Sequence, residues 1–224
     1  MTGVPPSTLT DLLGVPITAI TAQDIARLVA EQITETDELD FKATLYGKDE
    51  AAKVELCKDI AGLRNHRGGA ILLGVGEKDA IASGCPEVEL SDAEARRMRQ
   101  IVAAGTAPYA AFDIQAVPGE ESGRGFYLLL AEPSPFRPHA VLVNGGLRYP
   151  RRDGTITRYL TEAEVADMYR IAFEERSSRL NGLLRSRMKC SPSSTPLMIV
   201  RGWSFLLCPT AAATCRSASM DSGR

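Results

Sequence analysis

The alternation of apolar and polar positions divides the chain into short, well-marked elements. Ile25, Leu28, Val29 and Ile33 recur on one helical face behind Thr21-Ala22-Gln23-Asp24, which predicts an amphipathic helix opened by a capping box. Leu39-Asp40-Phe41-Lys42 instead alternates with period two. That predicts a strand with Leu39 and Phe41 inward and Asp40 and Lys42 outward. Helical spacing returns with Ala52, Leu56, Ile60 and Leu63 between Asp49 and Asn65, and Asn65 with Gly68-Gly69 supplies residues that tolerate left-handed backbone at the helix end. Ala70–Val75 is an unbroken apolar run, the pattern of a strand covered on both faces.

Ser91-Asp92-Ala93-Glu94 caps a second crossover helix reaching about Gly105. Ala111–Val117 and Phe126–Ala131 flank a Gly-rich turn and read as a hairpin, and Val141–Val143 with Leu147–Pro150 form a tighter one across Asn144-Gly145-Gly146. A last helix follows Thr161-Glu162-Ala163-Glu164, with Val165, Met168, Tyr169 and Ala172 along one side. The order predicts an α/β (α+β) fold: a mixed sheet flanked by helices, with an N-terminal helical extension over 1–30, a domain over 31–187 and a segment 188–224 of different character. That last segment is rich in Ser, Thr, Pro and Cys and lacks amphipathic periodicity, so it reads as a poorly ordered or aberrant tail.

Composition narrows the function classes. The 224 residues carry a net charge of −2, and residues 1–187 alone carry 22 Lys+Arg against 27 Asp+Glu, or −5. A uniformly basic nucleic-acid binder is excluded, and any such contact must be confined to one face. No apolar run is long enough to span a bilayer, no secretory signal is visible, and five cysteines without a CxxC pair suit reduced thiols in the cytoplasm. No membrane partner is expected.

Three segments carry candidate chemistry. Glu31–Asp40 holds five carboxylates and no base; two or three of them converging would bind Mg²⁺ or Mn²⁺, and otherwise they form a solvated helix end. Asn65-His66-Arg67-Gly68-Gly69 sits between a helix and a buried strand. Its glycines allow close approach of a phosphate, or simply make a tight turn, and Arg67 adds a donor fork. From Arg124 to Arg158 there are six arginines against two acids, with Tyr149 and Tyr159 interleaved. This composition suits bidentate phosphate contacts with stacking, or internal salt bridges to the acidic segment. No Walker P-loop occurs, and His66 and His139 anchor no recognisable triad.

Taken together, Glu35-x4-Asp40-Phe41-Lys42, Asn65-x2-Gly68-Gly69-x2-Leu72-Leu73-Gly74-Val75 and Arg148-Tyr149-x-Arg151-Arg152-x-Gly154 resemble the Schlafen-type AlbA-like domain, once described as a divergent AAA group. The resemblance implies an Alba-related fold that binds DNA or RNA, in bacteria commonly as part of a transcriptional regulator, and it points to a homodimer. It marks Lys42, Arg67, Gly68, Gly69, Arg148, Arg151, Arg152 and Arg158 as nucleic-acid-binding residues. Some animal relatives are metal-dependent ribonucleases; in that alternative Glu35 and Asp40 become catalytic metal ligands for Mg²⁺ or Mn²⁺. The third carboxylate of those relatives corresponds to Arg67, which inverts the local charge and favours binding without a metal cofactor. An ATP-binding or protein-interaction module is the remaining alternative.

Overall fold

The computed structural model describes residues 7–189, with side chains over residues 9–178. The chain divides into two compact units, Met1–Leu184 and Arg185–Arg224. The expected tail lies, from residue 190 onward, outside the described residues.

Helix α1 (Ser7–Leu13) and a short 3-10 turn at Ile17–Ala19 precede α2 (Ala22–Ala30), whose capping box is formed by Thr21 and Asp24. Strand β1 (Leu39–Lys42) leads through α3 (Glu50–Arg64) to β2 (Gly69–Leu73), which lies parallel to β1 with Leu39 opposite Ala70. A small hairpin, β3 (Gly76–Lys78) and β4 (Ile81–Gly84), precedes β5 (Val88–Glu89) and α4 (Asp92–Gly105). Next come β6 (Thr106–Ala107), β7 (Asp113–Pro118) and β8 (Arg124–Ala131), then β9 (Ala140–Val143) and β10 (Gly146–Arg148). A hairpin of β11 (Pro150–Asp153) and β12 (Ile156–Tyr159) runs into α5 (Glu162–Lys189).

The main sheet is mixed. Its order is β1-β2-β8-β5, with β7 also paired to β8, and β8 is antiparallel to each of its partners. Strand alternation sends its side chains into two separate cores. Ile71, Leu73 and Leu129 pack with Leu56, Ile60 and Leu63 of α3 and Met98 and Val102 of α4. On the opposite face Ala70, Leu72, Leu128 and Phe41 pack with Leu9, Leu13, Ile25 and Leu28. The N-terminal helices therefore supply one whole layer of the core.

Two local expectations change. Pro150 opens β11 rather than ending the Asn144-Gly145 hairpin, and the β11–β12 hairpin itself, turned at Gly154 with φ 62°, has too little apolar alternation to stand out in the sequence. Asp40 does not face solvent. It is 5% exposed, because the face of β1 opposite Phe41 is roofed by α3 and β11.

Gly68 and Gly69 are buried at φ +84° and +145°. A Cβ on Gly68 would strike the Ala131 carbonyl and Pro133, and one on Gly69 the Glu38 carbonyl. Their close approach is to the chain's own backbone, so the tight turn into β2 accounts for both glycines. Substituting Gly69→Ala is expected to destabilise the protein by at least about 1–3 kcal/mol from backbone conformation alone. Urea denaturation of the purified variant measures it.

Candidate functional site

Segments distant in sequence meet at the C-terminal end of α3. Asn65 is 3% exposed and makes three hydrogen bonds: its Nδ2 donates to the carbonyls of His139 (2.8 Å) and Pro150 (2.7 Å), and its Oδ1 accepts from the His139 amide at 2.7 Å. Around it His66, Arg67, Arg137, Arg151 and Met168 line an open concavity of about 280 Å³. Arg67 is well exposed, and its nearest acid, Asp37, stands 3.7 Å away and also contacts His66 Nε2 at 2.9 Å. The His66 hydrogen bond holds the Asp37 carboxyl below its ordinary pKa. Arg137 is paired with Glu175 at 2.6 Å. The Arg151 guanidinium has no ion-pair or hydrogen-bond partner among the described residues.

The remaining expected contacts lie elsewhere, for reasons of strand geometry. In β11 successive side chains point to opposite faces. Arg151 projects outward opposite Arg158 in the ladder, whereas Arg152 turns in and is 5% exposed. Its guanidinium donates to Asp40 Oδ1 at 2.7 Å and to the Gly154 carbonyl at 3.0 Å. A surface phosphate cannot reach it, so Arg152 is structural. Arg158 is held by Glu164 (2.6 and 3.0 Å) and Asp153 (3.2 Å). The Glu164 pair, reinforced by Asp153, raises the Arg158 pKa, while Arg158 and the Thr161 cap push Glu164 down to about 2. Arg148 is exposed on β10, outside the lining of the concavity.

Lys42 is likewise drawn inward. Its Nζ lies 3.4 Å from Asp40 and Asp59 and 3.7 Å from Glu55, so its charge is neutralised in place. Burial alone would lower the Lys42 pKa, but Asp59, Asp40 and Glu55 together raise it. Asp59, buried and accepting from the Tyr46 hydroxyl at 2.9 Å, is pushed upward by burial against the opposing pull of Lys42.

This arrangement bears on the metal-site alternative. A hard divalent cation needs several oxygen ligands with free lone pairs on one point. Glu35 Oε1 accepts the Phe41 amide at 2.8 Å, Asp40 faces Arg152 and Lys42, and a guanidinium stands at position 67. Among the described residues no group of three or more His, Cys, Asp or Glu side chains converges as a metal site. Glu35 and Asp40 stand together as two carboxylates, with an amide on the first and two cations beside the second.

Arg137, counted in the arginine-rich stretch but not among the named contacts, is brought by the β8–β9 loop beside Arg67 and Arg151. Arg151 and Arg152 were given one role, because the strand that turns them to opposite faces was not legible in the sequence. Tyr149, expected to stack on a ligand, lies edge-on to Tyr169 instead, with ring centres 6.4 Å apart.

Two outcomes are expected. Replacing one partner of the buried pair, as in Arg152→Met, costs about 3–5 kcal/mol, and the double variant Asp40→Leu/Arg152→Met recovers most of that loss; urea denaturation of the three proteins decides it. Glu35 has its pKa raised from 4.5 to about 7, chiefly by burial and then by the charge of Asp40, against the Phe41 hydrogen bond and Arg152. The folded state therefore holds a proton that the unfolded chain releases above its pKa of 4.5, and Glu35 makes stability fall as pH rises from about 4.5 to about 7. In Glu35→Gln that contribution to the pH dependence of the urea midpoint should disappear.

Residues 35–160 match the family model described as Schlafen, AlbA_2. No curated protein matches the chain. Among solved structures, the DIP2311 protein from Corynebacterium diphtheriae is similar at 17% identity and a TM-score of 0.44, over 65% of this chain and 27% of that one. The chain thus spans about a quarter of the length of that protein. The N-terminal domain of a Nitrosomonas europaea protein described as related to the RecG ATP-dependent DNA helicase is similar at 16% identity and a TM-score of 0.42, over 64% of this chain and 95% of that domain. With more than half of its residues inside the family match, the chain belongs to the Schlafen AlbA_2 family.

Proposed function

We propose that the domain binds DNA or RNA through the phosphate backbone, at the concavity beside Asn65. The observation that carries this reading is the convergence of Arg67, Arg137 and Arg151 from three separate segments on one open surface, with Arg151 unpaired and Arg67 only loosely paired. Guanidinium forks suit phosphate oxygens, and such contacts position a nucleic acid without reading its sequence. Family membership supports the same role. The acidic balance elsewhere confines the contact to this face.

A part in transcriptional regulation and a cytoplasmic setting go with this reading, supported by the family and by the free thiols Cys57 and Cys85. No described helix is long and apolar enough to cross a membrane. Pairing of two copies would add avidity to a modest patch. Cleavage ranks below binding, because cations already occupy the Asp40 carboxylate.

Fluorescence anisotropy against salt tests the proposal. Log K should fall linearly with log salt, by about 0.9 per phosphate neutralised on duplex DNA. Arg67→Ala and Arg151→Ala should each weaken binding and reduce that slope by about 1. Arg158→Ala, whose charge is taken up by Glu164 and Asp153, should leave the slope unchanged. Affinity that stays flat from low to physiological salt overturns the reading. Cleavage of tRNA with Mn²⁺, lost in Glu35→Ala and Asp40→Ala, would establish the nuclease alternative in its place.

A further inference from the structure

Beside the arginine concavity two phenylalanine rings stand largely exposed. Phe136 and Phe173 are 58% and 60% exposed, although burial of such rings is strongly favourable elsewhere in the chain. The Arg176 guanidinium lies over both, 5.6 Å from the Phe136 ring centre and 5.0 Å from that of Phe173. Its Nε is anchored on the Ala172 carbonyl at 3.2 Å. Phe136 is fixed by its backbone: its amide donates to Ser134 Oγ at 3.0 Å, and buried Ser134 donates its own amide to the Arg64 carbonyl at 3.0 Å. The rings join the concavity through Arg137, the chain neighbour of Phe136, whose partner Glu175 precedes Arg176.

We infer that Phe136 and Phe173 form a base-stacking platform, so that the ligand of the phosphate site is a single-stranded nucleic acid. This rests on the phosphate-binding reading above. In a duplex each base face is covered by the next base pair, and an exposed ring has nothing to stack on. In a single strand every base offers a π face, and stacking tolerates any base while the backbone follows a cationic groove. Arg67 and Arg151 would hold phosphates as the bases turn onto the rings. Arg176 adds positive charge against the same stack. An apolar protein partner would gain little from a patch flanked by these arginines, which is why the strand is the favoured occupant.

Anisotropy with three labelled probes tests this: an oligothymidylate, an abasic strand of the same length, and a blunt duplex. The oligothymidylate should bind roughly tenfold or more tightly than the abasic strand. Phe136→Ala and Phe173→Ala should each remove most of that excess, while leaving abasic affinity and salt slope at their wild-type values, and Phe→Trp should restore it. Both positions are exposed, and unchanged thermal unfolding of the variants checks that they fold. Equal binding of the thymidylate and abasic strands, or alanine variants that bind thymidylate like the wild type, overturns the platform. If all three probes still bind with salt dependence and lose affinity in Arg67→Ala, the phosphate reading survives that result alone. If no probe binds, both fail. Sedimentation of the same samples reads the other occupant: a dimer that dissociates in the alanine variants, with no change in nucleic-acid affinity, also overturns the proposal.

Discussion

One buried amide sets the geometry on which the proposed interface depends. Asn65 bonds the start of β9 through both backbone groups of His139, and the start of β11 through the Pro150 carbonyl, from a position at the end of α3. Arg67 is two residues beyond Asn65, Arg137 two residues before His139, and Arg151 one residue after Pro150. Every arginine of the concavity is thus within two residues of a group that this side chain holds. A buried carbonyl left without its donor costs about 1–3 kcal/mol. The Asn65 side chain therefore holds the three segments in register, and the arginines inherit that rigidity at their Cα positions, Arg137 paired with Glu175, Arg67 loosely with Asp37, and the Arg151 guanidinium without a partner among the described residues.

The charges of the domain are sorted by a second constraint. Acids exposed on the arginine face would repel a polyanion. Asp40 of β1 and Asp59 of α3 are buried, neutralised by Arg152 and Lys42, and Asp37, which does reach that face, is engaged by His66 and Arg67. Removing two carboxylates from the surface consumes two cations, and the ones consumed are those whose strand positions point inward. What remains outside on β11 is Arg151. A domain acidic overall thereby carries a locally cationic surface, and the ion pairs that achieve this also dock the β11–β12 hairpin against α3, which it touches through Arg152 and Thr157 beside Gly62.

Much of this was legible in the sequence. Helices α2, α3, α4 and α5 announced themselves by caps and apolar spacing, and β2 by its unbroken hydrophobic run, because local propensity and burial agree there. The β3–β4 and β11–β12 hairpins did not, since they are short and polar and depend on left-handed turn residues such as Asp79 and Ala80, at φ 56° and 60°. For the site, residue types were visible but facing was not. Composition placed Arg152 and Arg158, and the resemblance Lys42, among the phosphate ligands; in the fold they are paired with Asp40, Asp59 and Glu164. Arg67 and Arg151 met through hydrogen bonds spanning more than seventy residues, which no local pattern encodes.

Arg148 finds a different meaning in the three-stranded sheet β10-β9-β6. Strand β10 is the rim of that sheet, fully exposed, with Leu147 opposite Leu142 as apolar neighbours on one side. Such a rim is a template on which another chain could polymerise. Here it is three residues long and ends in a guanidinium, and the opposite rim, β6, runs straight into Pro108, which has no amide to offer. A rim so short, closed by a charged side chain on one edge and by a proline beyond the other, offers little ladder for a second chain to extend.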